Sequence, residues 1–214
     1  HPDLSGFVTR PEFDLPEHAL DHYNADVRLR SVRTGRKSNL SYLTSDLQEN
    51  LYDGLKESKA DTVIVLGDTA TALNAALAAR HLRKVVVHVE AGLRSGDELD
   101  PFPEELYRGL ITKLSDYHLA PTEKAVENLG AEGVLEDRIF LVGSPIAASF
   151  SEVRQFGKMG RFFFNEDTQD QWGFLTNESS YRILVTAHRR ENIPVGIKEV
   201  CKAALSLAQA ENTH

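Results

Sequence analysis

Residues 62–92 read TVIVLGDTATALNAALAARHLRKVVVHVEAG. A five-residue apolar run, Thr62 to Leu66, ends in Gly67-Asp68-Thr69. An alanine- and leucine-rich segment fills 70–82, and a second β-branched run, Val85 to Val89, ends in Glu90-Ala91-Gly92. Short valine-rich runs bounded by glycine read as strands, and the alanine-rich stretch between them reads as a helix. Strand, helix and strand at this spacing predict two parallel strands joined by a crossover. The second strand raises a chemical question. It delivers His88 and Glu90 near its carboxyl end, where a charge is costly without a partner or a task.

The same alternation continues on both sides. Leu40, Leu43, Leu47, Leu51 and Leu55 recur at helical spacing and predict an amphipathic helix. Downstream, a helix is expected over 104–114, a strand over 117–120, and a helix opened by Pro121 with Thr122 as N-cap. Further strands are expected over 138–142 and 182–187, and a helix over 195–210. The fold class that follows is α/β: a doubly wound, Rossmann-like parallel sheet covered by helices on both faces. Residues 1–45 are polar and weakly periodic, with Asp14-Leu15-Pro16-Glu17 suggesting a turn into a short helix. The chain is expected to divide into residues 1–152 and residues 181–214. Residues 153–180 would connect them, their aromatics Phe162, Phe163, Phe164 and Trp172 packing against something.

The totals narrow the class. The chain has 214 residues, 41% hydrophobic and 26% charged, which is globular composition. No apolar run approaches a membrane span, and the first residues carry no signal-peptide pattern. The single Cys201 excludes an internal disulfide framework and a cysteine zinc site, and fits a reducing, cytoplasmic compartment. The net charge is −8 with no basic stripe, so neither nucleic acid nor a membrane surface is an expected partner. An anionic ligand would have to be met by local cations or helix N-termini.

In open α/β sheets, ligands bind outside the carboxyl ends of the strands. Those ends carry Asp68, Glu90, Arg94, His188, Arg189 and Arg190. The arginines suit phosphate, and the carboxylates suit acid–base chemistry. Each also has a structural explanation. Alone, Asp68 reads best as a cap for the alanine-rich helix. Glu90 could equally be an ion-pair partner of Arg94. Glu104 and Glu105 begin a helix, where acids favour the macrodipole. His88 is read as a packing residue, His188 as a functional one. From the residues alone the chain is an α/β enzyme with an anionic, nucleotide-bearing ligand.

Taken together, six segments say more. GDTATA (67–72), HVEAGLRSGD (88–97), PFPEELYR (101–108), APTEKAVENL (120–129), RIFLVGSPI (138–146) and LVTAHRREN (184–192) match in order and spacing. They resemble the UDP-N-acetylglucosamine 2-epimerases over about 40–210. The resemblance implies a two-lobed fold of the glycosyltransferase-B type and a UDP-sugar substrate. It implies reversible conversion of UDP-N-acetylglucosamine and UDP-N-acetylmannosamine by elimination and re-addition of UDP, without metal or cofactor. Carried over by motif, Asp68, Glu90 and Glu104 are the catalytic carboxylates, and His188 stabilises or protonates the diphosphate. Asp68, Glu90 and His188 would also contact the substrate. Arg108 and Arg189 are second-rank candidates for phosphate contacts. A homodimer is expected on the same ground.

The sequence departs from the family pattern in places. Tyr107, Ser144 and Ala148 replace usual residues. Thr9-Arg10-Pro11-Glu12 resembles a family loop, but no apolar strand is evident before it, so the match reads as coincidence. The resemblance further implies an incomplete chain, with most of the first lobe and only the opening of the second. Two alternatives accompany the reversible epimerase: a hydrolysing epimerase releasing UDP and N-acetylmannosamine, and an inactive nucleotide-sugar binding module.

Overall fold

The computed structural model describes residues 4–9, 27–32, 40–158, 183, 185–186 and 195–208. The chain divides into two compact units, His1–Pro145 and Ile146–His214.

The first unit holds two parallel sheets. Strands β1 (Leu4–Thr9) and β2 (Val27–Val32) pair with each other from Leu4↔Val27 to Thr9↔Val32. Both lie in the stretch expected to lack strands. The signal was weak because Gly6 interrupts the first and Arg28 and Arg30 alternate with Val27 and Leu29 in the second. A strand therefore does precede Arg10, and its supposed absence no longer counts against the Thr9–Glu12 match; Arg10, Pro11 and Glu12 lie outside the described residues, as does the turn expected at 14–17.

The second sheet has the order β3-β4-β5-β6, from Thr62–Leu66, Val85–Val89, Tyr117–Ala120 and Ile139–Leu141. Helix α1 (Leu40–Glu57) leads into it. Helices α2 (Ala70–His81), α3 (Glu104–Leu114) and α4 (Glu123–Ala131) connect its strands. Thr122 caps α4 as expected, its Oγ1 accepting from Ala125 N at 3.2 Å. A 3-10 turn at Glu136–Arg138 takes the first residue of the strand expected at 138–142. Helix α5 (Pro145–Lys158) runs into the segment expected to be irregular, and 159–180 lie outside the described residues. Of the strand expected at 182–187, residues 183, 185 and 186 are described and belong to no strand. Ile183 and Val185 are exposed there, without the covering that a parallel strand requires. Helix α6 spans Val195–Ala208.

The core explains why these elements hold together. Leu47, Leu51 and Leu55 come from one stripe of α1 and meet Val63, Val65 and Val86 of the sheet. Ala76, Ala78 and Ala79 of α2 are fully buried, so small side chains let that helix sit close to its neighbours. Each buried leucine contributes about 2–3 kcal/mol. Asn74, also buried, is satisfied by Gln48 across α1 and by Ala70 O within α2.

Among the described residues, the helices of this four-stranded sheet pack on one of its faces. Each strand is added on the same side of its predecessor. Right-handed crossovers then place every connecting helix on the same face. Among the described residues the other face is open, with Ile64 at 62%, Leu66 at 56% and Phe140 at 45% exposure.

Candidate active site

Pairing of β3 with β4, ending at Leu66↔Val89, brings their carboxyl ends side by side. The next residue on each strand turns sharply: Gly67 has φ +71° and Glu90 φ +67°. Glycine tolerates that conformation, whereas for other residues it costs about 1–2 kcal/mol. Glu90 thus sits in the kind of strained backbone that clusters at functional positions. A Cβ added at Gly67 would stand 3.6 Å from Glu90 Oε2. The Glu90 carboxylate therefore lies over the Gly67 backbone, one residue from Asp68. Two residues on, Gly92 has φ +84°, and a Cβ there would collide with the Ala125 carbonyl oxygen. Glycine at 92 is needed both for the turn and for the close approach of α4.

Asp68 is not the helix cap. That role belongs to Thr69, whose Oγ1 accepts from Ala72 N at 3.2 Å. Both residue types cap well, and here the second takes the position. Asp68 Oδ2 instead receives Arg108 Nε at 2.8 Å and Nη2 at 2.6 Å. Arg108 Nη1 donates to Glu105 Oε2 at 2.8 Å, and Glu105 Oε1 accepts from Ser95 N at 3.0 Å. Burial alone would lower the Arg108 pKa. Hydrogen bonds to Glu105 and Asp68 outweigh it and raise the guanidinium above its ordinary value.

The structure also separates Glu90 from Arg94. Arg94 Nε and Nη2 hold the two carboxylate oxygens of Glu132 at 2.5 and 2.9 Å, and Nη2 reaches Thr112 Oγ1 at 2.8 Å. The turn at Gly92 carries Arg94 to the C-terminal end of α4, where Glu132 is the cap residue. Hydrogen bonding from Arg94 lowers the Glu132 pKa. Glu104 is the first residue of α3 and half-buried. Among the described residues neither Glu90 nor Glu104 has a hydrogen-bonding or ionic partner.

His88 is buried, as a packing residue should be. Glu90 lies two residues on, where its positive φ ends the regular strand alternation. His88 Nε2 donates to Gly67 O at 2.9 Å, which steadies the turn carrying Asp68. Its cross-strand neighbour is His118. Both Nδ1 atoms are buried without a partner among the described residues. Burial lowers the pKa of His88 and takes that of His118 down to about 4, so both rings are neutral at neutral pH.

The site thus unites Asp68 and Glu90 at adjacent strand ends, with the α3 turn that starts at Glu104 tied to Asp68 through Arg108. His188, Arg189 and Arg190 lie outside the described residues. Among the described residues no group of three or more His, Cys, Asp or Glu can hold a metal ion, and no helix is long and apolar enough to cross a membrane. An open cavity of about 560 Å³ lies between Arg94 and the α3 residues Leu106, Leu110 and Lys113; its lining does not include Asp68, Glu90 or Glu104. Sequence reasoning missed the roles of Glu105, Thr112 and Glu132. The i,i+3 spacing of Glu105 and Arg108 was a usable signal. The pairs Asp68–Arg108 and Arg94–Glu132, 40 and 38 residues apart, had no local signature.

Comparison with known proteins fits this arrangement. The model of the UDP-N-acetylglucosamine 2-epimerase family matches residues 12–214. UDP-N-acetylglucosamine 2-epimerase of Yersinia pestis is 39% identical over 184 residues, covering 86% of this chain and 48% of the relative. The Bacillus subtilis enzyme of the same name is 33% identical over 207 residues, covering 95% of this chain and 51% of the relative. The chain thus spans about half the length of the curated relatives it matches. Among solved structures, UDP-GlcNAc 2-epimerase from Neisseria meningitidis bound to UDP-GlcNAc superposes with a TM-score of 0.76 at 28% identity, covering 96% of this chain and 62% of that one. The Methanocaldococcus jannaschii enzyme in complex with UDP-GlcNAc and UDP gives 0.71 at 28% identity, covering 90% and 57%. On the breadth of these matches, the chain belongs to the UDP-N-acetylglucosamine 2-epimerase family.

Proposed function

We propose that this protein interconverts UDP-N-acetylglucosamine and UDP-N-acetylmannosamine by reversible epimerisation at C2. The observation that carries the reading is the placement of Glu90, strained and without a partner among the described residues, beside the Asp68 turn at the carboxyl ends of two parallel strands. The solved relatives that hold UDP-GlcNAc support the substrate class.

The chemistry needs such residues. A sugar C2 proton is not acidic, so a base must remove it as the C1–O bond breaks and its electron pair leaves with UDP. The product of that half-reaction has a C1–C2 double bond. UDP then adds back at C1, and C2 receives a proton from the opposite face. Two acid–base groups on opposite sides of the ring are required, and each contributes about 10²–10⁴-fold. Among the described residues no cation pairs with Glu90 or Glu104, which suits proton transfer. Asp68, ion-paired to Arg108, suits orientation of the sugar or a fixed negative charge. His188 is proposed to meet the diphosphate, where a donor stabilises the departing charge. The proposal includes no metal or cofactor, a homodimer, and a cytoplasmic location consistent with the single Cys201.

Product analysis by NMR of the complete protein with UDP-N-acetylglucosamine tests the reading. The expected result is UDP-N-acetylmannosamine in equilibrium with substrate and no net release of UDP. Stoichiometric UDP with free N-acetylmannosamine would make it a hydrolysing enzyme, and UDP-sugar binding without turnover a binding module.

A further inference from the structure

We propose that Arg108 and Glu105 are positioning residues: together they form a clamp that aims the Asp68 carboxylate, and Arg108 is not a phosphate ligand. The inference rests on the proposed epimerase reading for its kinetic consequences and on the geometry alone for the clamp.

The guanidinium has three of its N–H directions committed. Nε and Nη2 both point at Asp68 Oδ2, and Nη1 points at Glu105 Oε2. An incoming phosphate would have to displace a carboxylate from a side chain that is only 19% exposed. Glu105 is more buried still, at 5%, and its second oxygen is taken by Ser95 N. A buried carboxylate held by a backbone N–H and a guanidinium is built into the fold rather than offered to a ligand.

The clamp joins three segments, and each carries one of the proposed catalytic carboxylates. Asp68 lies in the β3–α2 turn. Ser95 lies in the loop that begins at Glu90. Glu105 and Arg108 lie one helical turn apart on α3, which begins at Glu104. One chain of contacts, from Ser95 N through Glu105 and Arg108 to Asp68, therefore fixes the mutual placement of all three segments. Both guanidinium contacts fall on Asp68 Oδ2. Its other oxygen, Oδ1, has no hydrogen-bond partner among the described residues and is left for the substrate. Sequence position alone separates the adjacent glutamates 104 and 105 poorly, whereas the structure distinguishes them: Glu105 holds the arginine, and Glu104 has no partner among the described residues.

The test uses Arg108→Gln, Arg108→Lys and Glu105→Gln in the complete protein. Arg108→Gln is expected to lower kcat by about 10-fold to 100-fold, the scale of a misplaced reacting group. KM and the calorimetric Kd for UDP should stay within about threefold of wild type. Lysine supplies charge but cannot span both carboxylates, so Arg108→Lys should recover only part of kcat. Glu105→Gln should fall between Arg108→Lys and wild type. Weakening of UDP binding by about tenfold or more, with kcat unchanged, would overturn the proposal and make Arg108 a phosphate contact. A second readout needs no turnover: in urea unfolding, Asp68→Asn and Arg108→Gln should be clearly non-additive, because the two share one interaction. Additive effects would sink the clamp even if the protein epimerises. Loss of C2 chemistry in wild type with non-additivity intact would sink the functional reading and leave the clamp standing.

Discussion

Asp68, Glu105 and Glu132 are each gripped by an arginine, whereas Glu90 and Glu104 have no partner among the described residues. The two groups sit within one connected region. Thr112 Oγ1 accepts from Arg94 and donates to Arg108 O at 3.0 Å, linking the two arginine networks through α3. What differs is the use of the charge. A carboxylate with a cation at hydrogen-bond distance is fixed in place, and one without is available to exchange a proton. Arginine on the α4 side locks two elements of the fold together. Arginine on the β3 side aims a side chain.

The largest effect separating the groups should come from Glu90→Gln, which keeps shape and removes proton acceptance. Turnover should fall by about 10²–10⁴-fold, while the unfolding free energy measured in urea stays within about 0.5 kcal/mol of wild type. A large loss of stability with activity retained would place Glu90 among the structural carboxylates.

Next in size is Gly92→Ala. The left-handed backbone and the backbone approach of Ala125 both oppose a side chain, and the combined cost is about 4 kcal/mol. Urea unfolding reads it. Unchanged stability would mean that the loop from Glu90 to Arg94 is not pinned by α4.

The buried His118 links the same region to pH. Its pKa is about 4 in the folded protein against 6.5 for the free side chain, so the unfolded chain binds more protons between those values. Stability is therefore full above pH 6.5 and lost as pH falls towards 4, by about 3 kcal/mol. The hydrogen bond from Arg94 that lowers the Glu132 pKa acts in the same direction, at more acid pH. Comparing urea midpoints of wild type and His118→Leu at pH 7 and pH 4 isolates the histidine. Equal slopes with pH in the two proteins would contradict its neutral burial.

The smallest expected effect is that of Arg94→Ala. It leaves the Glu132 carboxylate without its arginine and should cost about 2 kcal/mol, because the pair is only partly buried. Turnover per folded molecule should change by less than about threefold. A fall in turnover matching that of Arg108→Gln would erase the distinction between the two arginines.

Much of this was readable in the chain. Val85–Val89, the helix at 104–114 and the strand at 117–120 coincide with the expected elements, because apolar runs and their glycine or proline borders are local signals. Strands β1 and β2 escaped because their alternation is broken by Gly6 and carried by arginines. Which face of the four-stranded sheet the described helices cover depends on strand order, which no single segment states. Asp68 and Glu90 could be placed at strand ends from the pattern alone. Their partners could not, since a cap competes with an ion pair only once Arg108, 40 residues on, is folded alongside. The contrast between Glu104 and Glu105 likewise comes from which face of α3 meets Ser95.

The most direct measurement is solvent exchange at C2. The complete wild-type protein, incubated with UDP-N-acetylglucosamine in heavy water, should place deuterium at C2 of the sugar, and Glu90→Gln should suppress that incorporation. Folded wild type that leaves C2 unlabelled would contradict the account.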